Sequence, residues 1–153
     1  MGDSETTGYK FDWVVTREVR FIDNPSRRGY ERVGPISISL ALATQVESQV
    51  CRVSLKSTVR PTEGDFFQSV HAWIEGQFTA FAEEPAVAID EFSKRHAPVI
   101  LMPFLRDAIA SATARSRLGQ LLIPPINVIA LLEAGLVQQP ELASTDAGEA
   151  GGT

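Results

Sequence analysis

The chain has 153 residues, a net charge of −5, and 44% apolar against 22% charged residues, the balance of one globular domain large enough to bury a core without staples. Its one cysteine, Cys51, excludes an internal disulfide framework and fits a reducing compartment. No run nears the ~18 apolar residues of a membrane span, and the polar opening MGDSETTGYK holds no apolar signal core, so a cytoplasmic protein with no direct membrane insertion is expected.

Residues 1–9 are expected to be a disordered N-terminus, followed by one domain over 10–137 and a flexible acidic tail over 138–153. That tail, QQPELASTDAGEAGGT, is too small and polar to offset the entropy of ordering it. Residues 1–60 carry nine Lys/Arg against seven Asp/Glu, and residues 61–153 five against twelve. So acidic a second half speaks against nucleic acid as a partner.

Four strand-like segments come first. From Phe11 to Ile22 the chain alternates, which predicts Phe11, Trp13, Val15, Val19 and Phe21 on one face. Asp23 to Pro35, with NPSRRG inside it, is too long for a hairpin and reads as a surface crossover loop. Ile36, Ile38, Leu40 and Leu42 alternate with small residues, and Cys51, Val53, Leu55 and Val59 alternate with Arg52, Lys56 and Arg60. One greasy and one wet face is the mark of an antiparallel sheet covered on one side. After a tight turn at Pro61–Asp65, a fourth strand is expected from Phe66 to Phe81, with Gly76 marking a bulge or bend.

Helical spacing takes over from there. A short helix is expected at Pro85–Arg95 and a longer one from Val99 to about Ser116, with Pro103 in its first turn. Ala108, Ala110, Ala112 and Ala114 thin its second half enough for close helix packing. A last helix, Asn127–Leu136, comes after Pro124-Pro125 and ends near Gly135. Strands and then helices predict an α+β fold, a four-stranded antiparallel sheet with helices packed on one face.

Catalytic groups do not converge. His71 and His96 are isolated, no zinc-ligand spacing is present, and no nucleophile elbow or phosphate-binding glycine loop occurs. The expectation is a protein that is not an enzyme and needs neither metal nor cofactor. Apolar residues, by contrast, are in surplus. Leu121, Leu122, Ile123, Ile126, Val128, Ile129, Leu131 and Leu132 cannot all face one side of a short helix. Some must line a groove or a subunit contact.

Two blocks carry a family resemblance: Pro98-Val-Ile-Leu-Met-Pro103-Phe104-Leu-Arg106-Asp107, and Arg115-Ser-Arg117-Leu-Gly-Gln120-Leu121 running through Pro125 to Asn127. With the weaker Thr16–Phe21 pattern they resemble the SecB family of bacterial protein-export chaperones. The resemblance implies a homotetramer, a dimer of dimers, that holds unfolded precursor proteins without ATP and delivers them to the translocase ATPase SecA. By position it places a client-binding groove at Val33, Ile36, Ile38 and Leu40, and at Leu121, Leu122, Ile126, Ile129 and Leu132. Partner docking would fall to Glu18 and Asp23, with Ala72 at a fourth-strand position that is acidic in the family, and subunit packing to Ala108 and Ala112. Arg20, Arg52, Lys56 and Arg60 make the docking face more basic than the family's. That keeps open a chaperone dedicated to an antitoxin or another specific client. A small-ligand-binding α+β domain is a further alternative.

Overall fold

The computed structural model describes residues 8–81, 85–133 and 137–138. Four long strands, β1 (Tyr9–Asp23), β2 (Ile36–Glu47), β3 (Val50–Pro61) and β4 (Phe67–Ala80), form an antiparallel sheet. A two-residue strand, β5 (Val137–Gln138), adds to it in parallel, giving the order β1-β4-β3-β2-β5. Because β1 and β2 lie at opposite sides of the long-stranded sheet, the connection between them has to cross it, as the sequence requires. The hairpin joining β2 to β3 turns on Ser48 and Gln49, with Ser48 at φ 59°, a left-handed turn that no glycine announces.

Helices cover one face. A short α1 (Ile89–Glu91) runs through a π-helical turn, Phe92–His96, into α2 (Ala97–Thr113). The junction residues Glu91, Phe92 and Ala97 all keep right-handed helical dihedrals, so the break expected between Arg95 and Val99 is absent. The wide turn falls just before Pro98, whose ring would clash with the carbonyl four residues back in a regular helix. Pro103 accordingly sits inside the helix rather than in its first turn, on the exposed side. A last helix, α3 (Val128–Glu133), is shorter than the expected Asn127–Leu136; residues 134–136 lie outside the described residues.

Cys51, Val53, Leu55 and Val59 of β3 and Ala72, Ile74 and Phe78 of β4 meet Leu101, Leu105 and Ile109 of α2 in one core. Tyr9, assigned by sequence to a disordered end, belongs to that core. It is fully buried, stacks on Phe92 at 4.0 Å between centroids, and donates its hydroxyl to the Val87 carbonyl at 2.8 Å. Burial pushes the Cys51 thiol up to about 12, so it stays protonated and acts as a small hydrophobe.

The alternation read in β1 is corrected by two bulges. Register shifts insert Asp12 and Arg17 as extra residues opposite β4, and each insertion flips the phase of the strand beyond it. Phe11, Val14, Val19 and Phe21 therefore face the helices beside Phe78, Gly76, Ala72 and Val70. Trp13 and Val15 pair with Gln77 and Glu75 on the open face. Both inserted side chains clamp β4 there: Asp12 accepts from Gln77 Nε2 and Thr79 Oγ1, and Arg17 Nε donates to Glu75 Oε1 at 2.6 Å.

A charged network fastens the crossover loop. Arg117, just after α2, donates to both carboxylate oxygens of Asp23 at 3.1 and 2.9 Å, to Glu31 at 2.9 Å, and to the Phe66 carbonyl. Arg27 bonds the other oxygen of Glu31 and reaches Asp65 at 2.7 Å, with its guanidinium over the Phe66 ring. Arg117 is the least exposed of these ions, its side chain 12% accessible. A planar fork serves three acceptors that an ammonium cannot match. Arg117→Lys and Arg117→Met are both expected to lower the urea midpoint, methionine further. Lys94→Met, which breaks only the exposed Lys94–Asp90 pair, should leave it near wild type.

Candidate functional site

After α2 the chain passes through turns at 114–118 into a segment without regular secondary structure, where two bonds set which side chains turn inward. The Leu121 N–H donates to Thr113 Oγ1 at 2.8 Å, and the Ile123 carbonyl accepts from Arg106 Nε at 2.9 Å. Leu121 and Ile123 are buried, so alternation throws Leu122 outward, 69% exposed. Val99, Met102, Pro103, Arg106, Pro125, Ile126 and Val128 line an open hollow of about 160 Å³, which begins on this segment three residues after Leu122. Only Arg106 there is charged, and part of its guanidinium is occupied by the Ile123 carbonyl. Met102 and Arg106 come from successive turns of α2, four residues apart, while Pro125 and Ile126 come from the segment that precedes α3.

The residues expected to line a client groove differ in burial, and of them Ile126 is in the lining of this hollow. Leu40 and Leu121 are buried; Val33, Ile36, Ile38, Ile126 and Ile129 are half-buried; Leu122 projects. The side chain of Leu132 lies outside the described residues. The β2 set and the Leu121–Ile129 set are linked through β5, which pairs with β2 at Leu40 and Ala41 and also contacts α3. Sequence reasoning missed Val99, Met102 and Pro103 as lining residues. The available signal was their spacing with Arg106, i, i+3, i+4 and i+7 along one side of α2.

The open sheet face is polar and carries both tryptophans. Trp73 lies under Lys56 Nζ at 4.3 Å and donates its indole N–H to Ser54. His71 sits between Ser69 and Thr58. Burial, then the charges of Arg20 and Arg60, hold His71 below its ordinary value, with Glu18 opposing. Arg52 meets only the neutral Gln77 at 3.2 Å among the contacts of this face. Of the two acids expected to dock a partner, Glu18 is exposed on this face, 3.7 Å from Arg20. Asp23 is engaged internally by Arg117 and by the Asn24 N–H. Ala72 is turned to the helix side and buried, because the register makes Glu75, not position 72, the open-face acid of β4.

Ala108 packs into the protomer's own core and Ala112 is half-buried. The outward face of α2 presents Val99, Pro103, Phe104, Asp107 and Ser111, with one charge among them. Among the described residues no cluster of three potential ligands could hold a metal ion, and no helix is long and apolar enough to cross a membrane.

No protein-family model matches the chain, and a search of curated proteins finds no match. Among solved structures, a Mycobacterium tuberculosis SecB-like chaperone, captured with a ChAD peptide from the HigA1 antitoxin, superposes with a TM-score of 0.64. The alignment covers 82% of this chain and 94% of that one at 10% identity. The fold is SecB-like. A Streptococcus agalactiae protein of unknown function aligns over 76% of this chain and 97% of its own at 11% identity, with a TM-score of only 0.36, too low to bear on the architecture. At 10% identity the SecB-like likeness is one of layers and topology: four antiparallel strands with helices on one face.

Proposed function

We propose that this protein is an ATP-independent holdase chaperone whose SecB-like fold keeps an extended apolar segment of a dedicated client, of the antitoxin class, from folding or aggregating. The observation that carries the reading is Leu122, held outward by the bonds at Leu121 and Ile123, three residues before Pro125 in the lining of an apolar hollow. The antitoxin peptide in the solved SecB-like neighbour supports a polypeptide client of this kind.

The rim residues Leu122, Ile126 and Ile129, with Ile36, Ile38 and Val33 on the β2 side, take client side chains; Leu40 and Leu121 form the floor. Apolar walls select hydrophobicity and shape rather than one sequence. Binding the non-native chain withdraws it from folding by mass action, which requires no catalytic group and no cofactor.

The assembly in this reading is a homotetramer, built by packing the weakly charged outer face of α2, with Ala112 at the contact. Delivery of export precursors to SecA is the second reading. The exposed Glu18 favours it; Asp23, committed to Arg117, and the basic excess of the open face weigh against it, since like charge blocks docking. Cytoplasmic residence goes with either reading.

The test is refolding of a reduced, export-competent precursor and, separately, of an antitoxin, each with the protein in several-fold excess. A delay of the antitoxin alone supports a dedicated client, and a delay of both supports general holding. No delay of either, at a light-scattering mass near four chains, discards the chaperone reading.

A further inference from the structure

The sheet has two edges, and they are not equivalent. Along β1 the pairing with β4 is interrupted at Asp12, at Arg17 and again between Ile22 and Asp23. Such irregularities twist an edge away from further pairing. β2 pairs with β3 from Ile36 to Glu47 without a shift. Its outer side therefore offers an even row of backbone donors and acceptors, which is a template for one more strand.

That template is already in use, over a short stretch. β5 pairs with β2 at Leu40 and Ala41, while β2 itself is 12 residues long. Two parallel pairs make a weak hold, because parallel pairing is the less stable kind per residue. A strand laid on this edge sends alternate side chains to the two faces. On the helix side its neighbours are Ile36, Ile38, Leu40 and Leu42. On the open side they are Ser37, Ser39, Ala41 and Ala43, which leave room for polar or bulky groups.

We propose that β5 is a resident competitor: it occupies the β2 edge at Leu40–Ala41, the edge on which an extended client segment with apolar residues at alternate positions pairs by displacing it. This rests on the chaperone reading and deepens it, by naming the client's conformation and the contact that must open. A competitor held in cis lowers the apparent affinity by the fraction of time it is seated.

The experiment compares the full chain with a chain ending at Leu136, using reduced, carboxymethylated lactalbumin as a permanently unfolded probe. The shortened chain should bind the probe tighter, on the order of threefold to tenfold. A synthetic peptide of residues 134–153 added in trans should weaken that binding again, competitively. Independently of any client, amide exchange at Leu40–Ala41 should quicken in the shortened chain and slow when the probe is bound. Val137→Pro in the full chain removes an edge N–H and should tighten binding in the same direction if the shortened chain folds poorly. Equal or weaker binding by the shortened chain and by Val137→Pro overturns the competitor role while leaving the holdase reading intact. Binding neither of this probe nor of the antitoxin used in the refolding test, by either form, overturns both.

Discussion

Leu101→Ala should cost the fold about 2–5 kcal/mol, and Gly76→Ala about 1–3 kcal/mol, yet the two together should cost less than their sum. Leu101 is fully buried on the inner face of α2. A Cβ built on Gly76 would lie 2.7 Å from Leu101 Cδ2, with the Trp13 carbonyl at 3.4 Å and Phe11 Cε1 at 3.5 Å. The helix thus sets Leu101 directly against the missing side chain of Gly76. Removing the leucine leaves a cavity; adding the methyl overpacks the same place. In the double variant the new methyl moves into the vacated space, so the coupling should recover roughly 0.5–3 kcal/mol. Urea unfolding of all four proteins at equal m-values measures it. Additivity within about 0.3–0.5 kcal/mol would mean that the helix and Gly76 do not share this contact.

The same contact explains what was legible in the sequence. Glycine in a strand signals either a bulge or a close approach, and period alone cannot choose between them. In β4 it is the approach of Leu101; the bulges lie one strand over, at Asp12 and Arg17. β2 and β3 were readable because nothing interrupts their alternation, and their helix-facing sets hold. β1 was not, because an inserted polar residue looks like an ordinary wet position until its partner strand is known. Tyr9 and the continuous helix from Ile89 to Thr113 were missed for related reasons. A polar terminus hides one aromatic anchor, and a π-helical turn lets a helix pass a proline that a regular one would not. Within the candidate site, the apolar surplus at residues 121–129 was visible, but its division into buried and projecting residues was not. That division depends on the side chains of Thr113 and Arg106, whose bonds to the backbone at Leu121 and Ile123 leave no trace in local spacing.

Leu122→Asp should weaken client binding by about tenfold to a hundredfold while leaving the fold as stable as wild type. The asymmetry comes from where the side chain stands. At 69% exposure in the protomer, Leu122 contributes little to the core, so a carboxylate there remains in water in the free protein. Once a client covers it, about 1.5–3 kcal/mol of apolar burial is lost and a charge must be desolvated as well; each ~1.4 kcal/mol is a factor of ten in affinity. Leu121→Asp is the informative contrast. One residue away and buried, it should unfold the segment and lower the denaturation midpoint, because its charge has no water to return to. Titration of reduced, carboxymethylated lactalbumin against each variant, alongside urea unfolding and light scattering, separates the two effects. If Leu122→Asp binds the probe as wild type does with fold and assembly intact, the client lies elsewhere on the molecule. The apolar outer face of α2, around Val99 and Phe104, would then be the next surface to substitute.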